Sequence, residues 1–172
     1  MSYPFKHVAG FTLVELLITF GVAAVCIGLG LLIVNPARRL VHWRDRHRQS
    51  AVEELVRALS ECTASNDRRL PALIDDLPNG QYFQVGTAAR GCTDSCAAAE
   101  TQEFCLDLSR GTCGAGRSLV PAYLPALPVD PSPHRNQLMT GYYLGKTAGG
   151  ELVVGSCAGE LKDIWWRGQS AE

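Results

Sequence analysis

The sequence predicts an α+β fold, with one long N-terminal helix packed on a small antiparallel sheet. Three observations carry this reading. Residues 11–34 (FTLVELLITFGVAAVCIGLGLLIV) form an apolar run with a single charge, Glu15. Val52, Leu55, Val56 and Leu59 then fall at i, i+3, i+4 and i+7, one apolar helix face. Strand-forming runs come late, after a middle stretch rich in cysteine and glycine.

Composition narrows the class. The 172-residue chain is 47% apolar and 19% charged, which excludes a disordered chain and a polytopic membrane protein. Its net charge of −1 hides an uneven order. Residues 1–10 carry one base, Lys6, and no acid. Residues 38–48 carry Arg38, Arg39, Arg44, Arg46 and Arg48 against Asp45. From residue 49 onward, ten Lys/Arg face fifteen Asp/Glu. No global basic footprint points to nucleic acid, so no such partner is expected. Four segments follow: a leader (1–10), a transmembrane helical half (11–35), an amphipathic helical half (36–65) and a globular domain (66–172).

The apolar run, at about 1.5 Å per residue, makes roughly 36 Å of helix, enough to cross a ~30 Å hydrocarbon core. It is too long for a secretory h-region, and no small-x-small cleavage site follows. Glu15 is costly in such a span unless it is paired or lies near the interface. Cleavage after Gly10 would give Phe11 a new α-amino group, a partner for Glu15, most naturally that of a neighbouring copy. The alternative places Glu15 at the headgroup boundary with no partner. Gly21, Gly28 and Gly30 permit close helix approach but do not form a G-x-x-x-G pair. Pro36 disfavours helical geometry at Asn35 and predicts a kink or local melting there. Cys26, inside the run, reads as a small buried hydrophobe.

The helix is expected to continue through the arginine collar and end near residues 60–65. Glu53 and Arg57 are spaced for an i,i+4 ion pair. His42 and His47 are five apart, share no face well and read as solvated. Trp43 suits a headgroup interface.

Six further cysteines, Cys62, Cys92, Cys96, Cys105, Cys113 and Cys157, allow three disulfides in fifteen connectivities. The expectation is that Cys62 joins Cys157 and the other four pair among themselves. The rival is zinc on Cys92, Cys96, Cys105 and Cys113, although neither half has the common C-x2-C spacing. Thr140–Leu144 and Glu151–Cys157 read as a hairpin, Gln81–Val85 as a weaker strand, and Ile164-Trp165-Trp166 as a third strand or an apolar clasp. Thr101–Leu108 is expected as a short helix. Gly141–Thr147 is one residue short of a phosphate loop and sits between strands, so it reads as a hairpin turn. No G-x-S-x-G or H-E-x-x-H occurs, nothing points to catalysis, and the chain is not expected to be an enzyme.

Gly10-Phe11-Thr12-Leu13-Val14-Glu15-Leu16-Leu17-Ile18, behind a short basic leader, resembles the prepilin signature of type IV pilins and type II secretion pseudopilins. The resemblance is dense over residues 6–34. It implies cleavage after Gly10 by a prepilin peptidase, N-methylation of Phe11, and a role for Glu15 in docking subunits into a helical filament. It further implies a pilin-like fold, other pilin or pseudopilin subunits as partners, and a single-pass protein of the inner membrane. The C-terminal domain would be exported, ending in a periplasmic or extracellular filament. Five arginines after the span argue for the opposite orientation by the positive-inside rule. Long domains translocate largely regardless of charge, and the cysteines suit an oxidising compartment.

A second stretch, Tyr123–Pro131 followed by Tyr142-Tyr143, is similar to the turn before a tyrosine-bearing strand in major pseudopilins. The neighbouring loop often binds calcium in those proteins. Here only Asp130 is acidic nearby, so calcium is doubtful, no ligand is carried across and no cofactor is expected. The expected function is a structural subunit of a type IV pilus or a type II secretion pseudopilus. The alternative is a single-pass membrane protein with a cytoplasmic four-cysteine zinc module.

Overall fold

The computed structural model describes residues 10–34, 36–93 and 96–168; for residues 31–34 and 36 it describes the backbone only. The expected kink at Asn35 lies outside this set. The chain divides into two compact units, residues 1–40 and 41–172.

In the first unit, helix α1 spans Leu13–Val34. Its stretch Leu13–Gly30 has a mean hydropathy of 2.2 and no buried residue, and by length and composition it is able to cross a membrane. Thr12 opens the helix. Its hydroxyl accepts from the Glu15 amide at 3.2 Å, and its carbonyl accepts from the Leu16 amide at 3.1 Å. Thr19, the hydroxyl inside the apolar stretch, donates to the Leu16 carbonyl at 2.8 Å, so its donor is satisfied without water. Cys26 is exposed on this helix rather than buried within the chain.

Helix α2 spans Pro36–Ser65, and its residues from Val41 onward belong to the second unit. Ala51, Val52, Leu55, Ala58, Leu59 and Cys62 form its buried face. That face packs in one core with Tyr142, Leu144, Leu152, Val154 and Ile164 of the sheet region. Arg57 pairs with Glu61 at 3.5 Å, not with Glu53, whose carboxylate accepts from Gln49 instead. His42 and His47 are exposed. Trp43 is exposed and meets His47 edge-on, with ring centroids 4.8 Å apart.

The sheet has four strands in sequence order, with every neighbour antiparallel: β1 (Tyr82–Gln84), β2 (Tyr142–Lys146), β3 (Leu152–Ser156) and β4 (Trp165–Arg167). The architecture is α+β. Alternation along β2 and β3 sorts side chains between two faces. Leu144, Leu152 and Val154 join the helix-side core, whereas Tyr143, Val153 and Cys157 form a second cluster. Gly155 lies beneath the Tyr143 ring, where a Cβ would collide with it. The Gly145-Lys146 pair ends strand β2, and Thr147–Gly150 closes the hairpin turn. Lys146 is buried, with its ammonium donating to the Asp75 carbonyl.

Thr101–Leu108 is not the expected helix: its last residue opens a 3-10 turn at Leu108–Arg110, and the stretch before it runs alongside β1, bridging Tyr82 with Thr101 and Val85 with Leu106. The Gln102 amide donates to the Tyr82 carbonyl, and the Leu106 amide to that of Gln84. The physical reason is the open edge of β1. Its carbonyls need donors, and an extended segment supplies them where a helix could not.

The disulfides are Cys62–Cys113, Cys92–Cys105 and Cys96–Cys157, with Cα separations of 5.3, 5.5 and 4.4 Å. The expected Cys62–Cys157 pairing is wrong. Cys157 continues the odd-numbered row of β3 and joins Tyr143 and Val153, away from the helix-side core. Cys62 sits in that helix-side core with Cys113. A sheet separates the two sulfurs. Gly114 lets the Cys113 loop approach the end of α2, because a Cβ there would overlap the Ser65 carbonyl.

Candidate functional site

Two groups of residues carry the functional argument, one in each unit. In the first, Gly10 and Phe11 are exposed and non-helical, and Glu15 lies in the first turn of α1. Thr12-Leu-Val-Glu15 has the spacing of a capping box, in which a Thr hydroxyl accepts from the amide three residues on. The Thr12–Glu15 hydrogen bond supplies that half. A carboxylate in the first turn also sits favourably in the positive end of the helix dipole. Glu15 therefore has a local reason to stand where it does, a signal present in the sequence that the apolar-run argument passes over. Phe11, Leu13, Val14 and Leu16 around it are all exposed.

The second group is an ionic clasp that sequence reasoning missed. Arg48 has no exposed side-chain surface, although it stands in the arginine-rich stretch 38–48. All five of its N–H donors are used. Nε donates to Asp130 Oδ2 at 2.7 Å, and one Nη to Asp130 Oδ1 at 3.3 Å. That same Nη also donates to Ser132 Oγ at 2.8 Å. The other Nη donates to Asp45 Oδ1 at 2.7 Å and Glu160 Oε1 at 2.9 Å. Arg44 adds a two-pronged contact to Glu160, at 2.6 Å on each oxygen. Asp45 further accepts from the amides of Glu160 and Leu161 at 3.1 and 2.8 Å.

These contacts bind α2 to the Pro128–Pro131 turn and to the loop between β3 and β4. Burial pushes the Asp130 carboxyl up, but the Arg48 and Ser132 hydrogen bonds outweigh it and hold the group below the usual carboxylate range. Asp45 behaves alike, with burial opposed by Arg48 and the two loop amides. Hydrogen bonding from Arg44, then Arg48, lowers Glu160. Burial works against the Arg48 cation, yet its three carboxylate partners raise its pKa overall.

The clasp also tests the calcium reading of this turn. Calcium takes six to eight oxygen ligands. Asp130 is the only acid in the turn, and both its oxygens accept from Arg48. The residues present do not fit such a site. The zinc reading fails for a related reason. Cys92, Cys96, Cys105 and Cys113 are divided among three disulfides and offer no set of four thiolates.

Residues 5–31 match the sequence model of a family described as the prokaryotic N-terminal methylation motif. No curated protein and no solved structure matches the chain.

Proposed function

We propose that this chain, which carries the type IV pilin and pseudopilin signature at residues 5–31, is the precursor of a filament subunit cut between Gly10 and Phe11 and assembled through its N-terminal helix. One observation carries the reading: the methylation motif opens an apolar helix of membrane-spanning length whose stretch Leu13–Gly30 has no buried residue. Such a helix needs a hydrophobic partner at every stage, first lipid and then other copies of itself.

In this reading a prepilin peptidase removes the leader, and Phe11 becomes the methylated N-terminus. Its α-amino cation meets Glu15 of an adjacent copy, and the pairing sets the axial register as subunits leave the membrane. An unpaired carboxylate in an apolar filament core is costly, so the pairing also rejects misplaced subunits. The three disulfides favour an oxidising compartment and hence an exported second unit. Two of the five arginines that argued for the opposite orientation have a separate explanation, because Arg44 and Arg48 build the clasp.

The test is intact mass and N-terminal fragment sequencing after co-expression with a prepilin peptidase. The expected product begins at methylated Phe11. A chain that keeps its leader under conditions where a control prepilin is cut overturns the reading. Glu15→Gln should insert into the membrane and be processed normally yet yield no filament, and normal filament yield from it would remove the docking role.

A further inference from the structure

One concavity in the second unit has no part in the clasp or in the processing segment. It is a cavity of about 380 Å³ between the last turns of α2, the start of β3 and β4. Its walls are Val56, Leu59, Leu70, Leu152 and the Trp166 ring. Gly168 lets that ring fold back over the chain, since a Cβ there would overlap it.

The polar groups at its edge are mostly spoken for. The Ser60 hydroxyl donates back to the Val56 and Arg57 carbonyls, at 2.9 Å each. The Thr63 hydroxyl donates to the Leu59 carbonyl at 2.8 Å. Both hydroxyl protons are therefore used on the helix itself. Arg68 is the one charged side chain among the lining residues. It is exposed, and no ion pair holds it among the described residues. Its backbone amide caps α2 by donating to the Thr63 carbonyl at 3.0 Å, which fixes the Cα at the cavity rim. The result is a half-open apolar groove with a single cation at its rim. Its volume lies at the lower end of the ~300–1,000 Å³ range of small-molecule sites.

We propose that this cavity binds a medium-chain fatty-acid carboxylate, with the acyl chain against Leu59, Leu152 and Trp166 and the carboxylate on Arg68. The occupant is selected by charge complementarity. A cationic amphiphile would meet Arg68 with like charge, and a neutral one would gain nothing from it.

The test uses the full chain in lipid nanodiscs and a decanoate carrying a photoreactive diazirine. Illumination should label the peptides holding Val56–Leu70 and Trp166. Arg68→Asn removes the cation while suiting the positive φ of 62° at this position, so the backbone is undisturbed. It should reduce labelling about threefold, the loss expected for one ion pair at an exposed arginine. Arg68→Lys should restore most of it, and the matching diazirine alcohol should label the wild type as weakly as decanoate labels Arg68→Asn. Ala64→Phe, which fills the cavity from the exposed side of the helix, should abolish labelling with all three disulfides still formed. Labelling confined to α1, or equal for decanoate and the alcohol, overturns the proposal. So does self-association that Ala64→Phe abolishes in a protein that takes no label, which would assign the cavity to a second copy.

Discussion

Thr12 and Glu15 serve each other within one chain before either meets another. The cap satisfies the Glu15 amide, and a Thr N-cap is worth about 1 kcal/mol in water. Thr12→Ala should speed hydrogen exchange at the Glu15 amide about fivefold in micelles, while the carboxylate stays available for docking. Assembly would then weaken rather than fail, which separates the cap from the charge removed in Glu15→Gln. Arg48 is the other residue whose loss reaches far. Removing one partner of a buried ion pair typically costs 3–5 kcal/mol, roughly, because the other charge is stranded. Arg48→Ala leaves Asp130 in a site with no exposure, and Asp130→Ala leaves Arg48 likewise. Either variant should lower the chemical denaturation midpoint of the second unit severely. A surface change such as Arg57→Ala, at an exposed 3.5 Å pair, should cost less than about 1 kcal/mol and shift the midpoint little. The pH dependence has a definite sign. Folding depresses the Asp130, Asp45 and Glu160 carboxyls, so the unfolded chain binds protons more readily than the folded one. The clasp is fully stabilising above the unfolded range near pH ~4 and fades as pH falls through the lower folded values. Thermal scans should be flat from neutral pH to about 5 and drop below about 4. A double replacement of Arg48 and Asp130 by apolar residues should shrink that acid slope.

At the level of elements, the helices and the hairpin were legible because their signals are local. A period of 3.6 places Val52, Leu55 and Leu59 on one face, and all three are buried. Tyr142–Lys146 and Leu152–Ser156 are strand formers flanking a glycine-bearing turn. What local pattern does not carry is pairing between distant segments. Thr101–Leu108 contains an apolar spacing that reads as helix, yet the open edge of β1 recruits it as extended chain. The disulfide guess failed for want of a step the sequence does permit. Once Leu152 and Val154 are taken as core-facing, Cys157 must face the other way. The three bridges should differ in worth. Cys62–Cys113 and Cys96–Cys157 close loops with separations of 51 and 61 residues, against 13 for Cys92–Cys105. Chain-entropy reasoning gives roughly 4 kcal/mol for each long loop and about 3 for the short one. Paired Cys→Ser variants should therefore lose stability in that order. Cys62→Ser/Cys113→Ser also frees the end of α2, and should show faster hydrogen exchange over residues 60–66 than the other two pairs.

At the scale of the whole molecule, the chain joins two units with opposite needs. Apart from Glu15 and Thr19, the described side chains of α1 are exposed apolar groups that require lipid or partner helices. The second unit encloses its own core, its clasp and all three disulfides. The clasp was illegible in the sequence because Arg48 sits among four other arginines, and only the return of Asp130 and Glu160 from more than eighty residues away distinguishes it. A run of like charge has one appearance whether it is solvated or divided between solvent and a buried network. The division has a direct consequence. Among the residues whose side chains are described, every buried one lies at Asp45 or later, so a chain beginning at Val41 retains that core. Thirteen Lys/Arg against sixteen Asp/Glu keep that piece charged and favour solubility. A domain near this size buries roughly two-thirds of its unfolded surface, enough to fold alone. The shortened chain, secreted to an oxidising compartment, should form the three disulfides, melt cooperatively within a few degrees of the full chain, and neither join membranes nor enter filaments. A cooperative melt without membrane association would locate all membrane affinity in the first forty residues. A non-cooperative product that binds a hydrophobic dye would mean that α2 needs its first turn, and with it the chain before Val41, to nucleate the helix face on which the sheet packs.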